Sequence, residues 1–352
     1  MDNFVDLYTD YLISSSSYTT ATGMASLLSI KHDKITRALS TGVYDSKFLW
    51  KQAKPYIEEL TQSKETIILS FDDSIQEKQY TDQSELNTWH FDHVFGRSVK
   101  GINFLTALVE VGGMRLPCGV EFIKKDLLVT DPVTGKQKRK SSKTKNELFR
   151  EMLQECSSKM HFDYVLADSW FSSVENMICC KELLKNDFII GLKSNRKVAL
   201  SLKDKQNGTY VNIKTLQPGQ QTVEVWFEKL DFPLLLIKQV FKNENDTVGE
   251  LYLACSDLSL SYDKVTTSYK KRWAVEEYHK SIKSNTGFAK SPTKKIATQK
   301  NHFVVSIVAY IKLEWLKQRT GKNHFAMKTQ IYLAAQKAAI DELKKLSTPK
   351  AA

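Results

Sequence analysis

The 352-residue sequence predicts a mixed α/β fold, and three observations support that prediction. Short apolar runs rich in β-branched residues end in aspartates, which is typical of buried strands. A later stretch alternates apolar and polar residues between turn signals, which predicts further strands. Stretches with helical periodicity or continuous apolarity occupy both ends of the chain. We therefore expect a core that contains a sheet, with helices packed around it.

The balance of charge favours a polyanionic partner. The chain has 51 Lys and Arg residues against 40 Asp and Glu residues, a formal net charge of +11. Such an excess favours nucleic acid before a membrane surface. No apolar run approaches the roughly 18 residues that a membrane span needs, and the acidic first residues lack the pattern of a signal peptide. We expect a cytoplasmic protein with no membrane partner.

Residues 1–62 are predicted to form a helical domain. The stretches 22–29 and 31–39 have the pattern of two short helices joined by a turn. A helix-turn-helix that reads DNA has this pattern, and so does any small pair of packed helices. The sequence leaves both interpretations open.

The apolar run 66–74 reaches two adjacent acids, Asp72 and Asp73. It is predicted to be a buried strand whose carboxyl end presents a carboxylate. Because side chains alternate between the two faces of a strand, only one of the two acids can join a given site. Asp73 shares its face with Phe71, and Asp72 remains the alternative.

A second acid follows a second short strand. The run 162–168 is apolar and ends in Asp168, just before a helix predicted from about residue 172. Between the two acidic strands, the runs 102–110 and 114–123 predict an antiparallel hairpin that continues the sheet. An Asp in the position of Asp168 is often only a helix N-cap, but here it comes second in a series of strand-terminal acids.

Two basic segments are candidates for phosphate contact. A strand predicted at about 188–192 runs into a basic turn that carries Lys193, Arg196 and Lys197. The polar stretch 136–145 precedes a predicted helix and contains Lys138, Arg139 and Lys140. This stretch is either a solvated loop or a mobile loop that contacts phosphates.

A single helix predicted at 269–283 has an unusual polar face. At about 100° per residue, four polar positions fall within an arc of roughly 60°, and they are Tyr269, Arg272, Glu276 and Lys283. The face is either solvated and laced with i,i+4 ion pairs or a site in which one acid lies among several donors. Trp273 lies beside it, as a core anchor or as a platform for a displaced base.

The spacing of these four residues resembles the YREK signature of bacterial insertion-sequence transposases of the DDE type. The resemblance implies an RNase H-like mixed sheet flanked by helices, which a β-rich insertion interrupts before the glutamate helix. On that basis we expect a DNA-binding domain at 1–62, the catalytic core at 63–197 and 259–352, and the insertion at 198–258.

The resemblance implies that Asp73, Asp168 and Glu276 are the catalytic acids and hold metal, with Asp72 as the alternative to Asp73. The family pattern of an acid before Ser or Thr matches Asp73. Three carboxylates brought together repel one another, and Mg²⁺ relieves that repulsion because it prefers oxygen ligands. We expect two ions, for which Mn²⁺ can substitute, to activate an attacking oxygen and stabilise the leaving one.

The resemblance further implies a cut-and-paste transposase that acts on double-stranded DNA, at the inverted repeats of its element and at target DNA. Arg272 and Lys283 would hold phosphates, and Tyr269 could donate to another. Joining two ends implies a homodimer in the DNA complex, and a bacterial host implies association with the nucleoid. A metal-dependent nuclease of the same fold and a catalytically silent DNA-binding protein remain as alternatives.

Overall fold

The computed structural model describes residues 3–93, 95–217, 219, 221–242 and 246–347, and each predicted domain range includes positions outside this set. The helices are α1 (Asn3–Ser14), α2 (Ala21–Leu28), α3 (His32–Thr41), α4 (Ser46–Leu60), α5 (Lys145–Ser157), α6 (Val174–Ile178), α7 (Leu202–Gln206), α8 (Tyr262–Lys270), α9 (Trp273–Asn285), α10 (Ile296–Thr320) and α11 (His324–Ser347). The strands are β1 (Ile68–Glu77), β2 (Asn87–Asp92), β3 (Arg97–Val111), β4 (Met114–Phe122), β5 (Leu127–Thr130), β6 (Gln137–Lys140), β7 (Tyr164–Ala167), β8 (Asp187–Leu192), β9 (Lys197–Val198), β10 (Val211–Asn212), β11 (Val223–Val225), β12 (Leu234–Lys242) and β13 (Val248–Cys255).

Among the residues that the structure describes, nine strands form one mixed sheet flanked by helices, and this confirms the predicted fold class. The strand order is β11-β12-β13-β8-β7-β1-β3-β2, and β4 also pairs with β3. The pairs β1–β7 and β7–β8 are parallel, whereas the pairs β1–β3, β3–β4 and β13–β8 are antiparallel. Parallel neighbours need a crossover connection, and α6 lies in the connection between β7 and β8. The hairpin predicted at 102–123 is formed by β3 and β4.

The central strand β1 is covered on both faces by different elements. Phe71 faces the main hydrophobic core, where its ring lies 4.7 Å from that of Phe149 on α5. Ile68 faces a second apolar cluster that includes residues of α8. Because side chains alternate along a strand, Asp73 continues the face of Phe71, and Asp72 continues the face of Ile68.

The N-terminal helices share the main hydrophobic core with the sheet. Helix α1 packs on α10, where the Tyr8 hydroxyl lies 2.9 Å from His302 Nδ1. Lys312 of α10 forms ion pairs with Asp6 and Asp10 of α1. Helices α2 and α3 form the predicted pair, and both contribute buried residues to the same core. The pair stays a candidate for reading DNA.

Helix α10 is buried along most of its length by packing against other helices and β4. Its buried side chains include polar ones, such as Gln299, His302 and Glu314, which find hydrogen-bond or ion-pair partners on neighbouring elements. Within the described ranges, the structure contains no helix of the length and apolarity that crossing a membrane requires.

The β-rich stretch predicted at 198–258 extends the main sheet. Strands β12 and β13 form a long antiparallel pair. Strand β13 then joins β8 in a register that runs from Tyr252↔Leu192 to Cys255↔Ile189. Strands β9 and β10 form a small separate sheet. The stretch thus lengthens the sheet on the side of β8, where the basic turn begins.

The first strand does not end at its acids, contrary to the prediction. β1 continues to Glu77 because its antiparallel pairing with β3 continues as far as Glu77↔Gly101. Only its parallel pairing with β7 stops early, at Phe71↔Ala167. The two aspartates therefore lie within a strand, at the level where one neighbouring strand ends.

Lys138, Arg139 and Lys140, in the basic stretch before α5, do not lie in a loop, although both interpretations of the sequence placed them in one. Lys138, Arg139 and Lys140 lie on β6, which pairs with β5 in a two-stranded hairpin. Asp131 stabilises the turn between the strands by accepting from two backbone N–H groups. It also pairs with Lys138 at 2.6 Å. The basic residues are thus held on a short hairpin.

The single helix predicted at 269–283 is two helices. Helix α8 ends at Lys270 and α9 begins at Trp273. The turn between them is closed by i→i−3 hydrogen bonds, of which one runs from Arg272 N to Tyr269 O at 2.9 Å. Such bonds tighten the backbone relative to an α-helix. The predicted polar stripe is therefore not one continuous helical face, and Tyr269 lies on a different helix from Glu276.

Candidate active site

One cavity gathers carboxylates from four parts of the fold, which are β1, the end of β2 with Asp92, the segment after β7 and α9. It has a volume of about 510 Å³. The acids predicted from the sequence all line it, and they are Asp72, Asp73, Asp168 and Glu276. Four basic side chains lie among them, and they are Lys145, Arg272, Lys280 and Lys283. The cavity therefore combines clustered negative charge with several donors.

The register of two parallel strands brings the first two acids together. The β1–β7 pairing ends at Phe71↔Ala167, and the next residues are Asp72 and Asp168. Paired residues of neighbouring strands point to the same face of a sheet. Asp72 and Asp168 therefore leave the sheet at the same level and on the same face.

Asp72 is the most strongly perturbed acid of this group. Its removal from water, the carboxylate of Asp168 and that of Asp73 raise the pKa of Asp72 to about 8, against the opposing effect of Arg272. Glu276 contributes a smaller effect in the same direction. These carboxylates are thus close enough to repel one another, as acids that share a site do.

Asp73 faces the other side of β1 and is held by a lysine. Lys145 Nζ, at the first position of α5, donates to Asp73 Oδ2 at 2.6 Å. The backbone N–H of Asp73 donates to Asp72 Oδ1 at 2.9 Å. The two adjacent acids therefore leave β1 on different faces and have different partners. Both nevertheless line the cavity, so the expectation that only one of them can join a given site is wrong.

Asp168 both caps a helical turn and lines the cavity, which are the two roles that its position in the sequence allows. Its carboxylate accepts from the backbone N–H of Trp170 at 2.9 Å and so caps the 3₁₀ turn Ser169–Phe171. It also lines the cavity, and burial raises its pKa. The cap fixes the direction of the carboxylate, because one of its oxygens is bound to the backbone that follows β7.

Glu276 and Arg272 form an ion pair at the start of α9. Arg272 Nη2 donates to Glu276 Oε1 at 2.6 Å, and the arginine side chain is 16% exposed. Glu276 lies in the first turn of α9, where the helix dipole stabilises a negative charge. An acid and a guanidinium thus meet at the wall of the cavity.

Lys283 and Tyr269, the outer members of the predicted stripe, contact the sheet. Lys283 Nζ donates to Ser74 Oγ at 2.7 Å and to the carbonyl of Ile75 at 3.0 Å, just beyond the acids of β1. Tyr269 is 8% exposed, and its hydroxyl donates to the carbonyl of Ala167 at 3.3 Å. In this structure, the hydroxyl of Tyr269 supports the strand end that carries Asp168.

Aromatic side chains form one wall of the cavity. Trp170 is 47% exposed and lies 4.7 Å from the His93 ring, which lies 4.7 Å from that of Phe91. Lys193 Nζ lies 4.4 Å from the centre of the Trp170 ring. Trp273 is also exposed, at 58%, so it is not a core anchor. It is not among the residues that line this cavity.

The two basic segments predicted from the sequence do not line the cavity of the acids. Lys193, Arg196 and Lys197 line a neighbouring cavity of about 620 Å³ next to the start of α6. Arg196 is partly used by the fold, because its Nη2 donates to the carbonyl of Ser172 at 2.5 Å. The hairpin residues Lys138, Arg139 and Lys140 are not among those that line either cavity.

Sequence reasoning missed several residues of the cavity wall. His279 lies one turn after Glu276, with its Nδ1 3.9 Å from Asp72 Oδ2, and burial lowers its pKa to about 3. Lys280 follows Glu276 by four residues, so helical spacing alone could have identified both. Phe91 could not be found in this way, because the pairing of β2 with β3 places it, and His93 follows the end of β2.

The carboxylates suit a divalent cation by their chemistry. Asp72, Asp168 and Glu276 offer the oxygen ligands that Mg²⁺ prefers, and the mutual repulsion evident at Asp72 is what a cation would relieve. In the part of the chain that the structure describes, no group of three or more His, Cys, Asp or Glu side chains is already arranged around a metal position.

Two family models match the chain. The model described as "DDE superfamily endonuclease" matches residues 3–208, more than half of the chain, and includes both aspartate strands. The model described as "Archaeal putative transposase ISC1217" matches residues 129–296, which include Asp168 and Glu276. No curated protein matches the chain closely enough to count as a relative.

Proposed function

Because the chain belongs to the DDE superfamily of endonucleases, we propose that it is a cut-and-paste DNA transposase. Its substrates are the two ends of a mobile element, which it binds at terminal inverted repeats, and a target DNA. The observation that carries the proposal is the meeting of Asp72, Asp168 and Glu276 with Arg272 and Lys283 at one cavity.

We assign the acidic set to Asp72, Asp168 and Glu276, with Asp73 as the alternative to Asp72. The common face of Asp72 and Asp168 supports this choice. These side chains would hold two Mg²⁺ ions, with Mn²⁺ as a substitute. Bound divalent ions activate a water or hydroxyl and stabilise charge on phosphate oxygens.

The basic residues of the cavity hold and orient the DNA. Arg272 presents a planar guanidinium that can bind a phosphate in a bidentate manner once Glu276 has turned away from it. Lys283 is anchored on β1 by Ser74 and Ile75, and its ammonium adds positive charge beside the acids. These contacts fix the scissile phosphate relative to the carboxylates, which is the main contribution of a protein to phosphoryl transfer.

The reaction has two stages that the same residues can serve. Hydrolysis first frees a 3′-hydroxyl at each element end, and this hydroxyl then attacks a phosphodiester of the target DNA. Joining two ends requires two active sites, so the working form in the DNA complex is a homodimer. The α2–α3 pair and the basic turn with Lys193, Arg196 and Lys197 contribute further contacts to DNA, as do the hairpin residues Lys138, Arg139 and Lys140.

The test is DNA cleavage by the purified protein on a plasmid that carries the DNA flanking its gene, with Mg²⁺ or Mn²⁺. We expect cuts at both element ends that need the metal and disappear in Glu276→Gln. Glu277→Gln is the matched control, because Glu277 pairs with Arg115 outside the acidic cavity. We expect this control to cut like the native protein.

The other outcomes identify the alternatives. Cleavage without joining of the freed 3′-hydroxyl to a second DNA would make the protein a metal-dependent nuclease of the same fold. DNA binding without cleavage by either the native protein or the variants would make it a catalytically silent DNA-binding protein. Cleavage by Glu276→Gln at the native rate would show that the acidic set is assigned wrongly.

A further inference from the structure

Lys145, at the start of α5, is hydrogen-bonded to Asp73 of β1. The Lys145 ammonium donates to Asp73 Oδ2 at 2.6 Å, across 72 residues of sequence. The Asp73 side chain is 15% exposed, whereas that of Lys145 is 38% exposed. Both line the acidic cavity. The carboxylate is therefore mostly enclosed, and part of the lysine stays accessible from the cavity.

The position of Lys145 is fixed by the start of α5. Thr144 accepts from the backbone N–H of Glu147, and Glu147 accepts from the backbone N–H of Thr144, which is a complete capping box. One turn further on, Phe149 packs against Phe71, the residue two positions before Asp73. The capping box and the packing of α5 on β1 thus fix the backbone position of Lys145, and Asp73 fixes its side chain.

Positive charge is concentrated around Lys145. Lys125 lies close enough that Lys145, together with burial, lowers the pKa of Lys125. Both lysines also affect His90, where burial and their charges lower the pKa to about 3. Asp73 offsets part of this positive charge. Water already stabilises the charge of an ordinary surface lysine, so such a lysine gains little from a mostly enclosed carboxylate.

We propose that Lys145 is a phosphate-binding residue for DNA at the active site and that Asp73 is its positioning residue. An ammonium has three donors, so Lys145 can bond a phosphate oxygen while it keeps its bond to Asp73. The proposal gives each of the two adjacent acids its own task. Asp72 belongs to the acidic set, and Asp73 directs the ammonium group of Lys145 towards the DNA.

This role deepens the proposed function and rests on it, because it assumes that DNA enters the cavity. It can nevertheless be tested without catalysis. Binding of a fluorescein-labelled duplex, taken from the DNA that flanks the gene, can be measured by anisotropy in EDTA at several salt concentrations. The proteins to compare are the native chain, Lys145→Gln, Lys145→Arg and Lys159→Gln.

Lys159→Gln is a matched control. Lys159 follows the C-terminal end of the same helix and also pairs with a carboxylate at 2.6 Å, that of Glu155, but it lies outside the acidic cavity. We expect Lys145→Gln to weaken binding about five- to tenfold and to lower the salt dependence by about one phosphate contact. Lys145→Arg should recover most of the affinity, and Lys159→Gln should bind like the native protein.

The role of Lys145 is wrong if Lys145→Gln keeps both the native affinity and the native salt dependence. The role of Asp73 is tested by cleavage at saturating DNA with Mg²⁺, where Asp73→Asn should stay within about tenfold of the native rate. Loss of cleavage as complete as in Glu276→Gln, with DNA binding intact, would make Asp73 one of the catalytic acids instead. If the native protein binds DNA and never cuts it, the proposed function fails while the binding result for Lys145 stands.

Discussion

Asp72 and Asp168 follow the last paired residues of the two parallel strands at the centre of the sheet, Phe71 and Ala167. They leave the sheet at the same level, and Asp168 is the carboxylate that acts most strongly on Asp72. The arrangement follows from register alone, because neither side chain needs a special backbone conformation to reach the cavity. Burying two carboxylates side by side at this level of the sheet costs free energy unless a positive charge lies beside them.

Asp72→Asn should abolish metal-dependent cleavage and leave the fold intact. Asparagine keeps the shape of the side chain and removes the charge that the neighbouring carboxylates oppose. We expect cleavage to fall by at least about a thousandfold, as for other essential acids in metal-dependent catalysis. The melting temperature without divalent ions should be equal to or higher than that of the native protein. Cleavage close to the native rate would return the assignment to Asp73.

Trp170 and Trp273 should differ in their importance for DNA. Both side chains are largely exposed, so replacement by alanine should change the melting temperature little. Trp170 lines the acidic cavity beside His93, and stacking of a base on an aromatic ring contributes about 1–3 kcal/mol. Trp170→Ala should therefore weaken DNA binding about tenfold, measured by anisotropy. If only Trp273→Ala weakened DNA binding, base stacking would instead be assigned to Trp273, at the start of α9.

Arg196 and Lys197 are neighbours with different expected roles. Arg196 holds the carbonyl of Ser172, so Arg196→Gln should lower the free energy of unfolding by about 1–2 kcal/mol as well as weaken DNA binding. Lys197 is exposed, so Lys197→Gln should weaken DNA binding and lower its salt dependence by about one phosphate contact, without a loss of stability. Urea unfolding and anisotropy measured on both variants check this. Equal loss of stability in the two would contradict it.

The sequence could predict the parts of the site that depend on local pattern. The acid that follows β7, the β3–β4 hairpin with positive φ at Gly112 and Gly113, and the helical spacing of Arg272, Glu276 and Lys283 all follow from short-range rules. The resemblance to YREK transposases implies that these features belong to one site. It also implies that two aspartates precede the glutamate along the chain.

The parts that the sequence could not predict depend on pairing between distant segments. β1 extends beyond its acids only because β3 is long enough to pair with it as far as Glu77. The break between α8 and α9 is not marked by a Pro or Gly in the sequence, because Lys271 and Arg272 form the turn. The choice between Asp72 and Asp73 depends on which helix covers each face of β1, and alternation alone does not determine that.

His302 should make the stability of the protein depend on pH. It is fully buried between α1 and α10, with the Tyr8 hydroxyl 2.9 Å from Nδ1. Burial and the charge of Lys78 lower its pKa to about 4, against an ordinary value of 6.5. As pH falls, the unfolded chain therefore binds a proton at this position before the folded protein does. Stability is fully present above about pH 6.5 and is lost as pH falls towards 4.

The comparison of the native protein with His302→Asn isolates this contribution. Asparagine can still accept a hydrogen bond from Tyr8, and it does not titrate. Between pH 6.5 and 4, the native protein should lose up to about 1.4 kcal/mol per pH unit relative to the variant, measured by urea unfolding. Burial also lowers the pKa values of His90 and His279, but both proteins share those residues, so their effect cancels. A constant difference in stability across this range would mean that His302 is already protonated in the folded protein or reaches solvent through opening of the α1–α10 contact.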